Sequence, residues 1–238
     1  DMGDHWLLNG QKLWPSYAPH SAWCFAPART STEKKQGGIS FLLVDMKTPG
    51  IEVRPIKLIN GVSHFCETFF TDVKVPKDCL VGEVNGGWSV GKRLLQHERA
   101  SLSALRGANT QTWDLTDIAR RYCGTDAQGR LADADLRSRL ADHLLGEHAY
   151  RLTLERRAAE EEAGITPSTP VSTLKNIGSQ VGQRLGELAV EMLGHQSLGW
   201  ANDDHGVGYS DEELELTSLW LHSKCYTIYG GSQEVQNN

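Results

Sequence analysis

The hydrophobic pattern changes its period near residue 80, and this change constrains the fold more than any other feature of the chain. Up to Val75 the apolar residues lie in short runs rich in aromatic and β-branched side chains, separated by Gly-containing turns. From Gly86 onward they recur with helical spacing, most regularly in Val171–Leu193. The pattern predicts an α+β multidomain chain, with a small antiparallel β-sandwich or barrel domain over residues 1–80 and an antiparallel four-helix bundle domain over residues 86–238.

Individual elements follow from the same pattern. The strands are expected at His5–Trp14, Ala22–Arg29, Ile39–Asp45, Ile51–Lys57 and His64–Val75. The helices are expected at Gly86–Gly107, Trp113–Tyr122, Asp133–Ala163, Val171–Leu193 and about Glu212–Ile228.

One acid in the first helical stretch stands out. Asn85 is a candidate N-cap for this helix, and Glu98 falls on the same helical stripe as Leu94 and Leu102. An unpaired carboxylate on a buried face is costly and tends to bind a proton, which is a property that suits a general base. Glu98 is therefore a candidate catalytic residue, and the alternative is an interhelical ion pair with an arginine on a facing helix.

Composition and charge exclude several classes of function. The net charge is −6 and there is no basic run, so nucleic acid is not an expected partner. No apolar window approaches the ~18 residues that span a membrane, and the first residues do not read as a signal peptide. The five cysteines show neither metal-ligand spacing nor a disulfide framework, so we expect no metal site and a reducing, cytoplasmic location.

Four segments, in this order, resemble the acyl-CoA dehydrogenase family. They are GDHWLLNGQKLWPS at the entry to the β-domain, FTDVKVPKDCLVGEVNGGW at the connection, LLQHERASL in the first bundle helix, and YTIYGGSQEVQ at the end of the last helix. The resemblance covers essentially the whole chain. It implies that the chain is a fragment, comprising the middle and C-terminal parts of such an enzyme without the family's N-terminal helical domain.

The resemblance also implies a cofactor, FAD, and residues that contact it. In the family, the Trp that corresponds to Trp14 packs against the flavin ring, and the hydroxyl two residues later, here Ser16, bonds the flavin N5 region. Ser232 and Glu234, after the glycine pair, correspond to further flavin contacts. The residues by themselves also fit a core Trp beside a turn Ser, and a helix C-cap followed by a solvated tail.

A base that removes the α-proton of the acyl thioester is the second implication. Many family members carry this base in a Tyr-Glu-Gly version of the last motif, but here the motif reads Tyr229-Gly230-Gly231. Another branch of the family carries it on the first bundle helix in a Glu-Arg pair, which matches Glu98 and Arg99. The resemblance therefore assigns catalysis to Glu98, and contacts with the acyl-CoA substrate to Arg99, Tyr229 and Gly230.

Two family motifs that bind the dinucleotide end of FAD are missing. An Arg-x-x-Phe-Gly run is replaced by ARRYCGTDAQGR, where Arg120, Arg121 and Arg130 are the alternatives, and only Gly194 remains of a Gln-x-x-Gly-Gly-x-Gly run. The primary hypothesis is an acyl-CoA dehydrogenase that forms a 2,3-enoyl-CoA and passes electrons to an electron-transfer flavoprotein, as a homodimer or homotetramer. The alternatives are a non-catalytic structural subunit of a mixed oligomer and an acyl-CoA oxidase.

Overall fold

The computed structural model describes residues 1–107, 113–199 and 208–237, and within helix 87–107 it describes side chains up to Glu98. Contacts divide the chain into two compact units, Asp1–His97 and Glu98–Asn238. Each unit has its own hydrophobic core. The expected combination of a small antiparallel β-domain with a helical domain is confirmed.

The first unit contains two antiparallel sheets. A three-stranded sheet has the order β1-β5-β4, and a two-stranded sheet pairs β2 with β3. The strands are β1 His5–Ser16, β2 Trp23–Arg29, β3 Ile39–Asp45, β4 Ile51–Ile56 and β5 Phe65–Pro76.

A core between these two sheets holds the unit together. Side chains alternate along a strand, and in β5 buried residues alternate with more accessible ones over positions 65–70. The buried set draws on both sheets and consists of Trp6, Leu8, Ala26, Leu42, Val44, Phe70, Val73 and Val75. This arrangement is a small sandwich.

The segment between β5 and the first helix is hydrogen-bonded to β3. Asn85 was expected to cap helix α1, Gly87–Gly107, and this expectation is wrong, because Asn85 has a φ of 67° and its side-chain oxygen accepts a hydrogen bond from the Thr30 hydroxyl at 2.7 Å. The backbone N–H of Asn85 donates to the buried Ser40 hydroxyl at 2.8 Å. A Cβ on Gly87 would lie 2.6 Å from the Ser40 carbonyl carbon, so only glycine lets the helix start this close to the strand.

The second unit is organised around one long helix. Helix α4, Val171–Leu193, packs against the four other helices that follow α1 in the chain. These are α2 Leu115–Cys123, α3 Ala134–Glu162, α5 Asp211–Ser223 and the short α6 Gln233–Asn237. Three glycines spaced four apart, Gly178, Gly182 and Gly186, put a smooth face on α4. A Cβ on them would lie within 3.0 Å of Tyr150, Tyr226 and Trp220 respectively, so this face brings the neighbouring segments close.

Three helices of this unit begin at side-chain caps. Asp114 and Asp133 each accept two backbone N–H groups in the first turns of α2 and α3. Ser210 and Glu213 form a reciprocal capping box at the start of α5, and Glu213 also accepts the Tyr122 hydroxyl at 2.8 Å. These caps satisfy donors that a helix start otherwise leaves unpaired.

Burial differs from the sequence pattern in α3. The helical period places four leucines of α3 on one side, namely Leu136, Leu140, Leu144 and Leu152. Leu136 and Leu140 are buried, but Leu144 and Leu152 are 38% and 50% exposed. His143 and Tyr150 take the buried positions instead. The second half of this helix therefore presents an apolar surface rather than a buried stripe.

The described residues contain neither a membrane-spanning helix nor a metal-binding cluster. None of the helices in the described ranges is long and apolar enough to cross a membrane. Within the same ranges, no group of three or more His, Cys, Asp and Glu side chains is placed to hold a metal ion.

Candidate active site

The end of β1 carries the two residues expected to contact flavin in the first unit. Trp14 has a φ of 70° and its side chain is 55% exposed. The pairing of β1 with β5 is irregular between Leu13 and Ser16, and Ser16 itself is exposed. A bulky residue in the left-handed region is an outlier that is held in place by its surroundings and clusters at functional sites.

Trp14 and Ser16 are two residues apart in β1, a spacing that predicts a shared face of the strand, but the pairing of the strand is irregular at this point. Strict alternation holds only along a regular strand, and it does not hold across a β-bulge. Both side chains are exposed. Their position depends on the bulge and on the contacts that maintain it.

Aromatic contacts to the start of β5 support the segment. The Trp14 ring meets Phe65 edge to face at 6.0 Å between ring centroids, and the Tyr17 ring meets His64 at 5.3 Å. The Tyr17 N–H donates to the His64 carbonyl at 2.9 Å. Sequence reasoning did not single out Tyr17 or His64, and the spacing in the chain carries no signal for either.

Lys12 ties the same strand to the other sheet. Its ammonium donates to the Pro27 carbonyl at 2.5 Å, and burial lowers the pKa of Lys12 below its usual range. Pro27 has no N–H, so this bond satisfies the one backbone polar group that Pro27 offers. The bond anchors β1 two residues before Trp14.

In the second unit, the glycine pair makes a sharp turn after the last long helix. Gly230 and Gly231 have φ values of 67° and 92°, a conformation that side chains other than glycine rarely adopt. Gln236 donates from its side chain to the Gly230 carbonyl at 3.0 Å, and a Cβ on Gly231 would collide with Gln236. The side chain of Gln236, six residues after Gly230, thus holds the turn in place.

Ser232 begins the short helix α6 and interacts with it. The Ser232 hydroxyl accepts the Val235 N–H at 3.4 Å, and a hydrogen bond with Ser232 lowers the pKa of the exposed Glu234 carboxylate. Tyr229 is half-buried and packs edge to face on Tyr226 at 6.0 Å. Ser232 therefore caps α6, and Glu234 lies beside it in the first turn of that helix.

Glu98 lies in α1, and its side chain is exposed in this chain. The prediction that Glu98 lies on a buried face of α1 is wrong within the described chain. The neighbouring Leu95 is also 48% exposed, and Leu94 is only half-buried. The helical period shows which side chains lie on the same face of the helix, but that face is buried only where another element packs against it. The side chains of Arg99 and Leu102 lie outside the described residues.

The arrangement at the end of β1 fits one face of a planar ring. Trp14 offers an exposed aromatic surface and Ser16 an exposed hydroxyl donor, which suit an aromatic ring system with polar edge atoms. For the pyrophosphate end, Arg121 is engaged by Glu212 at 2.6 Å and Arg130 by Asp126 at 2.9 Å. Arg120 is also exposed, and it forms no ion pair among the described residues.

Comparisons with known proteins identify the class. The family model for the acyl-CoA dehydrogenase middle domain matches residues 1–73, and the model for the acyl-CoA dehydrogenase C-terminal domain matches residues 85–238. The chain belongs to the acyl-CoA dehydrogenase family, whose members are FAD-binding flavoproteins.

Particular relatives agree with this assignment. The acyl-CoA dehydrogenase IpdE1 of Mycobacterium tuberculosis (strain ATCC 25618 / H37Rv) is 34% identical, over 99% of this chain and 58% of its own length. The acyl-CoA dehydrogenase FadE34 of the same organism is 34% identical, over 97% of this chain and 30% of its own length. The solved structure titled Tcur3481-Tcur3483 steroid ACAD has a TM-score of 0.83 and 25% identity, and covers 100% of this chain and 59% of that chain. The chain thus spans well under two thirds of these relatives.

Proposed function

We propose that the protein containing this chain is a flavin-dependent acyl-CoA dehydrogenase that converts an acyl-CoA thioester to the 2,3-enoyl-CoA. The single observation that carries the proposal is the exposed Trp14–Ser16 segment, held in a strained conformation within a chain of this family. We assign residues 1–80 to its middle β-domain and residues 86–238 to its helical bundle domain. FAD is the proposed cofactor, and it would accept the hydride that leaves the β-carbon.

The residues of this chain take distinct roles in that reaction. Glu98 is the proposed base, and its carboxylate removes the α-proton while the carbon–carbon double bond forms. Its exposure in this chain leaves the carboxylate accessible to a ligand. Trp14 and Ser16 orient the flavin ring, and Ser232 and Glu234 contact the cofactor from the turn at the end of the bundle. Arg99, Tyr229 and Gly230 contact the acyl-CoA.

Electron-transfer flavoprotein is the proposed electron acceptor, and a homodimer or homotetramer is the proposed assembly. Five free cysteines suit a reducing compartment, so we propose a cytoplasmic location. The name of the steroid ACAD relative supports a ring-bearing acyl group as the first substrate class to test.

Absorbance of the purified full-length protein tests the proposal. We expect a flavin band that bleaches anaerobically on addition of a ring-bearing acyl-CoA and does not bleach with free CoA. Reoxidation by electron-transfer flavoprotein, without hydrogen peroxide in air, distinguishes the dehydrogenase from an oxidase. A flavin band that no acyl-CoA bleaches would contradict the proposed reaction.

A second candidate is a structural subunit of a mixed oligomer. The missing dinucleotide motifs favour it, and the steroid ACAD relative carries the names of two proteins in its title. In that case the protein purified alone would fold without a flavin band, and flavin would appear only after assembly with a second, related chain.

A further inference from the structure

Tyr17 occupies a backbone conformation that does not suit its side chain. Its φ and ψ are 52° and 28°, in the left-handed region. Among the described residues other than glycine, Trp14, Tyr17, Asp72 and Asn85 have positive φ. Asp and Asn adopt this region with little difficulty, whereas an aromatic residue pays roughly 1–2 kcal/mol. Two large aromatics three residues apart in this region are therefore an unusual feature.

The surroundings hold Tyr17 in place through its backbone. Its N–H donates to the His64 carbonyl at 2.9 Å, and its own carbonyl accepts the His20 N–H at 2.9 Å and the Ser21 hydroxyl at 3.1 Å. None of these bonds uses the phenol ring. An asparagine or a glycine would form the same three bonds with less backbone strain.

The ring contributes little to the core of the β-domain. It is 55% exposed, the same fraction as Trp14, and its described ring contact is the edge of His64 at 5.3 Å and an interplanar angle of 62°. An exposed ring on a strained backbone stabilises the fold less than asparagine would at this position. The side chain therefore serves something outside the described chain, and a strained outlier of this kind is a reason to assign function.

We infer that Tyr17, supported by His64, is a further contact for the flavin ring system and extends the surface that Trp14 begins. This inference rests on the proposed function, because it takes the Trp14–Ser16 segment as the flavin-contacting part of the chain. The ring supplies an apolar face for a planar ligand, and the phenol hydroxyl supplies a donor for the polar edge of that ligand.

The test separates a binding role from a structural one because the two predict opposite effects on stability. In the full-length protein, Tyr17→Asn relieves the backbone strain and removes the ring. We expect its urea midpoint without flavin to equal or exceed that of the parent, while the Kd for FAD rises by ~10-fold or more, the range expected for losing one aromatic stacking contact. Tyr17→Phe keeps the ring, and we expect its Kd to stay within about threefold of the parent value.

Phe25 provides a matched control. It is also 55% exposed and also stacks on one ring, Phe41 at 5.8 Å, but it lies in a regular strand. Phe25→Asn is expected to lower the urea midpoint and leave the Kd for FAD unchanged.

Two results would overturn the inference alone. One is a parent protein that binds FAD while Tyr17→Asn binds it equally well. The other is a Tyr17→Asn variant whose urea midpoint falls in parallel with its FAD affinity, since Tyr17 would then be structural. A folded parent that binds no FAD would overturn the proposed function and this inference with it.

Discussion

Glu98 is the residue on which the proposed chemistry depends. Glu98→Gln keeps the size of the side chain and removes the proton acceptor. We expect normal folding and normal flavin content, since the side chain is exposed, and a decrease of at least ~100-fold in the rate of flavin reduction by acyl-CoA in stopped-flow measurements.

Glu83 offers the control for this change. It is another exposed glutamate close to the start of the same helix, and Glu83→Gln is expected to reduce flavin at the parent rate. Equal rates for Glu98→Gln and the parent would show that another residue is the base. Loss of flavin or of folding in Glu98→Gln would favour the ion-pair interpretation instead.

His143 is a buried residue whose protonation opposes folding. It is 2% exposed, its Nε2 finds no hydrogen-bond partner among the described residues, and burial lowers the pKa of His143, an effect that Glu147 opposes and Arg184 reinforces. The unfolded chain therefore binds a proton at a higher pH than the folded chain does. The free energy of unfolding should fall as the pH drops below about 6.5, by at most ~1.4 kcal/mol per pH unit from this group.

Urea unfolding at pH 7 and pH 5 measures this effect. His143→Gln is expected to show a smaller loss of stability between the two pH values than the parent. The exposed His148 on the same helix supplies the control, and His148→Gln should keep the parental pH dependence. Identical pH dependence in His143→Gln and the parent would contradict the argument.

At the scale of elements, the glycine face of α4 decides how closely its neighbours approach. A Cβ on Gly178 would lie 2.4 Å from the hydroxyl oxygen of Tyr150, which is itself buried. We expect Gly178→Ala to lower the free energy of unfolding by about 1–3 kcal/mol, because overpacking outweighs the higher helix propensity of alanine.

Gly146 is the control that measures the effect of helix propensity without overpacking. It lies in the middle of α3, it is exposed, and a Cβ there would meet nothing within 4 Å. Gly146→Ala should therefore raise the stability by up to ~1 kcal/mol in the same urea experiment. If both variants were stabilised, the close approach at Gly178 would not matter to stability.

At the scale of the whole molecule, assembly depends on which apolar side chains remain exposed. The sequence pattern suggests the apolar stripe of α4 and the apolar segment 219–228 as contact surfaces. On α4, Leu174, Leu188 and Met192 are buried inside the chain, whereas Ile228 in the second segment is 68% exposed. Helix α3 offers a further exposed apolar surface, because Leu145 and Leu152 are 70% and 50% exposed, seven residues apart and so on one side of the helix.

We therefore expect the full-length protein to be a dimer or tetramer at micromolar concentration in light scattering. Leu152→Glu would bury a charge in the contact between subunits, so we expect it to weaken the assembly by at least ~10-fold. Ala158→Glu adds the same charge at an exposed position on another side of α3 and should leave the assembly intact. A monomeric parent would contradict the proposed homo-oligomer.

The sequence by itself determined the elements and their order. The predicted bounds of β3 and α4 agree with the structure at both ends, because periodicity, β-branched residues and turn residues act over a few neighbouring positions. The family motifs are equally local, so the resemblance points to Trp14 and Ser16 from the sequence alone. The last helix was predicted too long, since α5 ends at Ser223 and a series of turns continues to the glycine pair.

Only the tertiary structure decided which faces are buried and which residues are strained. Leu144 and Leu152 continue the stripe of α3 in sequence, yet no neighbouring element within the described chain covers them. Tyr17 adopts its left-handed conformation through a hydrogen bond with His64, a partner far away in the chain. Burial and strain depend on contacts between distant segments, and a local pattern carries no information about those contacts.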